Sequence, residues 1–148
     1  TILGGENSRF YWNIVQKGIC PRAGAFHMDF SDVGSIILWA MCEPKNTRAA
    51  FDAMRAETEK FQTGGVTPDE VARVRNKRLT SLAAEAEAPC DRLKQIMDDV
   101  DYRGQPRTVE QRLAVVNAIT PDTLAQYARS YPLAGEGFLI SVGPAEWT

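Results

Sequence analysis

Residues 25–44, AFHMDFSDVGSIILWAMCEP, decide the fold class. Phe26, Met28 and Phe30 alternate with Ala25, His27 and Asp29, the period-2 pattern of a strand with two unlike faces. Ser31-Asp32-Val33-Gly34 supplies turn chemistry, and Ser35 to Glu43 follows as a β-branched, aromatic-rich run stopped by Pro44. The pair reads as an antiparallel hairpin. Its second strand, apolar on both faces, is expected to be central in a sheet.

On the N-terminal side, Phe10, Ile14 and Val15 recur at helical spacing between Glu6 and Lys17, with Gly18 placed to end the helix and Asn7 or Ser8 placed to cap it. Gly4-Gly5 precede this helix and could cradle an anion or act as a hinge. Glu6 is a poor neighbour for an anion, and no Lys or hydroxyl follows at phosphate-loop spacing, so the hinge is favoured.

On the C-terminal side, Asn46 can cap a helix whose stripe is Ala50, Met54, Thr58 and Phe61, ended by Gly64-Gly65. Thr67-Pro68-Asp69-Glu70 then joins a capping Thr, a Pro at the first helical position and a Glu that can reach back to the cap. The helix it opens carries Val71, Val74, Leu79, Leu82 and Ala86 on one side, with Arg73, Arg75, Lys77 and Arg78 as a solvated face, until Pro89 interrupts it. A shorter helix is expected over Asp91 to Asp101, with Leu93, Ile96, Met97 and Val100 apolar. Thr108 caps another that runs to Ile119, and Thr120-Pro121-Asp122 starts the last, carrying Leu124, Tyr127, Ala128 and Tyr131. Gly137 to Val142, GFLISV, reads as a closing strand. The order of elements favours an α+β fold over residues 1–148 as a single domain, with helices layered on one face of an antiparallel sheet.

Composition narrows function less. With 44% apolar and 24% charged residues and a net charge of −2, the chain is neither a disordered tail nor a nucleic-acid binder. The longest apolar run, IILWAMC at 36–42, is too short to span a bilayer. Cys20, Cys42 and Cys90 are odd in number and widely spaced, which argues against a disulfide framework or a zinc ribbon and favours small buried hydrophobes. His27 and Asp29 share a strand face, so an acid/base pair is conceivable, but a strand histidine with a hydrogen-bond partner is the simpler reading.

Several stretches together resemble the pitrilysin/insulinase family of zinc metallopeptidases, which includes the mitochondrial processing peptidase. They are LGGENSRF at 3–10, TPDEVARVRNKRLTSL at 67–82, AEAPCDRLKQIMDDVDYRGQP at 86–106 and VNAITPDTLAQYARSYPLAGEGFLISVGP at 116–144. The resemblance is to the family's C-terminal, non-zinc domain and implies a metallopeptidase-half αβ fold. Family domains carry about one more strand–helix unit before the Leu-Gly-Gly turn, so the chain is expected to begin inside its domain.

The resemblance also implies where chemistry is missing. The family's zinc helix carries His-x-x-Glu-His, two histidines one turn apart with a Glu that activates water, and this chain has one histidine. Zinc is therefore expected in another domain or subunit. A second family element is an Arg at the end of the first helix and a Tyr seven positions on, which hydrogen-bond substrate. Gln16 and Ala23 stand at those positions, and Arg22, one residue away, is a weak substitute because neighbouring strand residues point to opposite faces.

The implied function is a non-catalytic domain of a zinc-dependent endopeptidase, forming part of a peptide chamber. Its implied partners are a peptide substrate and a second peptidase-family domain or subunit, as in bacterial pairs where one chain brings the zinc. A wholly inactive structural or peptide-binding subunit is the alternative, and an independent cysteine or acid/base enzyme has no supporting motif. A missing edge strand would allow a homodimer through the sheet edge. The compartment follows the parent protein: periplasm with a signal peptide, cytoplasm otherwise.

Overall fold

The computed structural model describes residues 2–30, 33–135 and 137–144. Strands β1 (Arg22–Asp29) and β2 (Gly34–Met41) form the expected antiparallel hairpin, paired from Arg22 opposite Met41 to Asp29 opposite Gly34. At the turn the Phe30 N–H donates to the Val33 carbonyl at 2.8 Å, leaving Phe30 past the end of β1. Ser31 and Asp32, the centre of the expected turn, lie outside the described residues.

The alternation is present, but its small side is the inner one. Ala23 and Ala25 of β1, with Leu38 and Ala40 of β2, pack on the core, while Phe26, Met28, Trp39 and Met41 face outward. Small residues are needed because the Gly-Gly turn lies against β1: a Cβ on Gly4 would sit 1.9 Å from the Ala25 nitrogen. Gly5 has φ of 108°, a conformation that favours glycine. Both glycines are thus explained by backbone geometry.

Two expectations about the sheet are corrected. Among the described residues it has two strands, so β2 is an edge and not central. Residues 137–142 form no strand, and Phe138, Ile140 and Val142 are exposed. An apolar β-prone run becomes a strand only beside a partner edge, and its own pattern cannot supply one.

The first helix is shorter than residues 6–17. Asn7 lies in the left-handed region with φ of 57°, so helical winding starts after it, and the Ser8 hydroxyl accepts the Tyr11 N–H at 3.2 Å. Tyr11–Val15 are wound as a π-helix. Five α-helices follow: α1 (Thr47–Gly64), α2 (Pro68–Glu87), α3 (Pro89–Arg103), α4 (Val109–Asn117) and α5 (Pro121–Ser130). Asn46 precedes α1 without a side-chain cap bond. The α2 capping box forms as read, and Thr108 with Gln111 and Thr120 with Thr123 repeat it. Pro89 opens α3 instead of merely ending α2, the break falling at the extended Ala88.

The core joins Leu3, Phe10, Ile14 and Cys20 to Ala50 and Phe61 of α1 and Ala128 of α5, on one face of the hairpin. In the α2–α4 half, Val71, Leu82 and Val116 are buried. Helix α3 inverts the expected pattern: Gln95 and Asp99 are inside, while Leu93, Met97 and Val100 are exposed. The architecture is α+β.

Candidate functional site

The first helix is held by two long-range anchors. Arg9 donates from Nε to Glu70 Oε1 at 2.8 Å, and from Nη2 to Glu70 Oε2 and the Gly65 carbonyl, both at 2.9 Å. Glu70 Oε2 also accepts the Thr67 N–H at 2.9 Å, so one carboxylate closes the α2 cap and receives the guanidinium. The hydrogen bond from Arg9 is the main reason the Glu70 carboxyl titrates at about 2 instead of 4.5. The second anchor is Asn13 Nδ2, which donates to Glu57 Oε2 of α1 at 3.0 Å.

Beyond these anchors, the π-winding carries the Gln16 N–H to the Tyr11 carbonyl at 2.8 Å. The Gln16 side chain follows: its Nε2 donates to the Tyr11 hydroxyl at 2.7 Å. Trp12 meets the Tyr11 ring edge to face, with centroids 5.1 Å apart, and is 54% exposed.

Ala23 lies opposite Ala40 on the core side of the hairpin, away from solvent. Arg22, opposite Met41, belongs to the other face and is exposed. Gln16 is thus grouped with Tyr11 and Trp12, and among the described residues no hydrogen bond or ion pair joins it to Arg22 or Ala23.

The other candidate side chains do not build a reactive cluster. His27 Nδ1 is 4.0 Å from Asp29 Oδ1, with both side chains more than half exposed, so the partly buried strand histidine with a hydrogen-bond partner expected from the pattern is not found. Burial pushes the Cys20 thiol pKa up, the wrong direction for a nucleophile. Cys42 is half-buried and Cys90 is exposed, not a small core residue. Among the described residues no three His, Cys, Asp or Glu side chains converge to hold a metal ion, and no helix is long and apolar enough to cross a membrane.

A second polar cluster lies between α3 and α4. Asp99, almost wholly buried, accepts from Arg107 Nη2 at 2.7 Å and the Arg107 N–H at 2.9 Å, and forms an ion pair with Arg112 Nη2 at 2.6 Å. Chiefly through the Arg107 side-chain bonds, its carboxyl titrates at about 2, below the usual 3.8. Arg112 also reaches the Gln95 carbonyl at 2.6 Å, and Gln95 Nε2 donates to Glu85 of α2 at 2.8 Å. This cluster ties three helices together.

Residues 1–78 match the peptidase M16 inactive domain, the half of the chain that contains the Gly-Gly turn, the π-wound helix, the hairpin and the start of α2. The chain belongs to the peptidase M16 family. It is 25% identical over 142 residues to an uncharacterised zinc protease of Streptomyces coelicolor, covering 95% of this chain and 31% of that protein. The chain therefore spans about a third of the length of that relative.

Solved structures share the fold. The inactive peptidase domain of a proposed zinc protease from Bordetella parapertussis superposes with a TM-score of 0.74 at 20% identity, over 88% of this chain and 70% of that one. A chain of complex III2 from Candida albicans gives 0.72 at 19% identity, over 88% and 31%. The matched domain is the family's inactive one, and the zinc of this family's proteases belongs to the catalytic domain.

Sequence reasoning marked Gln16 but missed Tyr11 as its partner. In an α-helix residues five apart lie roughly 140° apart around the axis, and only the π-winding brings these two together. Nothing local signals the Arg9–Glu70 pair either, since its members are 61 residues apart.

Proposed function

We propose that this M16 domain is a non-catalytic wall of a peptide-degrading chamber, with the zinc chemistry supplied by another domain of the same polypeptide or by a partner subunit. The observation that carries the reading is the amount of apolar surface left uncovered on two faces. Phe26, Met28, Trp39 and Met41 project from the outer side of the hairpin, and Leu93, Met97 and Val100 project from α3. A chain that stood alone would bury such faces; one that packs against a second domain presents them.

In this reading the substrate is an unfolded peptide, and Gln16 and Ala23 stand at the family's Arg and Tyr positions with Arg22 beside them. Ala23 faces the core, so Gln16 and Arg22 are the side chains left to meet peptide. Gln16 and Ala23 lack the groups with which an Arg and Tyr pair would stabilise a reacting carbonyl, and Arg22 is a weak substitute, so the domain positions peptide and leaves the reaction to the zinc-bearing half. The unpaired edge of β2 also gives a second copy a place to add, which light scattering of the purified chain tests.

The experiment is cleavage of an unfolded, quenched fluorescent peptide by the full-length protein, alone and with its cognate subunit. Chelator-sensitive cleavage is expected, restored by zinc. The replacement of both contact side chains favours one other reading, a wholly inactive structural or peptide-binding subunit. Absence of cleavage from every combination would establish that alternative.

A further inference from the structure

The π-wound turn leaves an unusual set of groups at the surface. Because Gln16 Nε2 donates to the Tyr11 hydroxyl oxygen, the phenol's own hydrogen is left to donate outward. Gln16 Oε1 has no partner among the described residues and is left to accept. A donor and an acceptor therefore stand side by side, the complement of a peptide unit's C=O and N–H. The exposed indole of Trp12, set against the Tyr11 ring, adds an apolar plate beside them.

The support beneath is rigid. Ile14, in the same turn, is fully buried, and Asn13 and Arg9 fasten the segment to Glu57 and Glu70. The two polar groups are thus pre-positioned, which lowers the ordering cost of binding.

We propose that Tyr11, Trp12 and Gln16 form a binding site for the backbone of an extended peptide. The proposal rests on the reading of this domain as a peptide-chamber wall and adds to it Tyr11 and Trp12, neither of which the Arg/Tyr positions include.

The test is fluorescence anisotropy with a fluorescein-labelled, unstructured peptide of about twenty residues titrated with the whole chain. Tyr11→Phe and Gln16→Ala are each expected to weaken binding by roughly three- to tenfold, the loss of one hydrogen bond, with Tm unchanged. The same peptide N-methylated along its central backbone is expected to bind as weakly, and the Trp12 indole N–H resonance is expected to shift only with the unmodified peptide. Equal affinity of wild type and both variants overturns the site, as does a wild-type chain that binds no peptide. The chamber reading is decided separately, by chelator-sensitive cleavage with the full-length protein.

Discussion

The two halves of this molecule are held by different forces. Around the hairpin, Phe10 and Ile14 are fully buried among Leu3, Ala50, Phe61 and Ala128, an apolar core in the ordinary sense. Between α2, α3 and α4 the largest buried groups on α3 are Gln95 and Asp99, and two arginines close over the carboxylate. The contrast teaches that a helix's inner face is chosen by what it meets. Helix α3 meets Arg107 and Arg112, so its carboxylate turns inward and its Leu93, Met97 and Val100 turn out.

The sharpest way to break this comparison is to delete the centre of each half. Phe10→Ala should cost about 3–5 kcal/mol through cavity formation. Asp99→Ala should cost somewhat less, about 2–4 kcal/mol, by leaving two half-buried cations without their buried acceptor. The halves should part on rescue, read as urea-unfolding midpoints: replacing Asp99, Arg107 and Arg112 together by Leu and Met should recover most of the loss, whereas no polar change rescues Phe10→Ala. If the triple variant is no better than Asp99→Ala, the ion network is specifying the packing and not merely satisfying itself.

Acid separates the halves next. Asp99 and Glu70 both titrate near 2 in the fold, against 3.8 and 4.5 ordinarily, so the unfolded chain binds more protons over this interval. Their stabilisation is complete above about pH 4.5 and is lost as pH falls toward about 2. Hydrogen exchange across that window should show α3 and α4 amides losing protection before those of the hairpin, whose two strands carry no buried carboxylate. Simultaneous loss in both halves would mean that they unfold as one unit.

A smaller effect is expected at the junction. Arg9→Ala removes a two-pronged ion pair to the α2 cap and should cost about 1.5–3 kcal/mol by thermal unfolding. The smallest effect is a stabilisation. Gly64→Ala, within α1 and with nothing within 4 Å of the added Cβ, should gain about 0.5–1 kcal/mol, while Gly4→Ala forces the turn off β1 and should destabilise.

Much of the secondary structure was legible. The hairpin, the proline-led starts of α2 and α5 and the Thr67–Glu70 capping box all fell where the residues predicted them. The missed features share one property. The closing strand at 137–142, the central place of β2, the inward face of α3 and the pairing of Gln16 with Tyr11 each depend on a neighbour that local pattern does not name.

The sequence by itself determined the α+β class, the threonine caps of α2, α4 and α5, and that one histidine cannot build the family's zinc helix. Caps and periods act over three or four residues, so the chain states them directly. Only the tertiary structure decided which strand face is buried, that Arg9 completes a cap 61 residues away, and that a π-turn sets Tyr11 beside Gln16. Burial and long-range hydrogen bonding are properties of pairs of segments, and a segment read alone carries half of each pair.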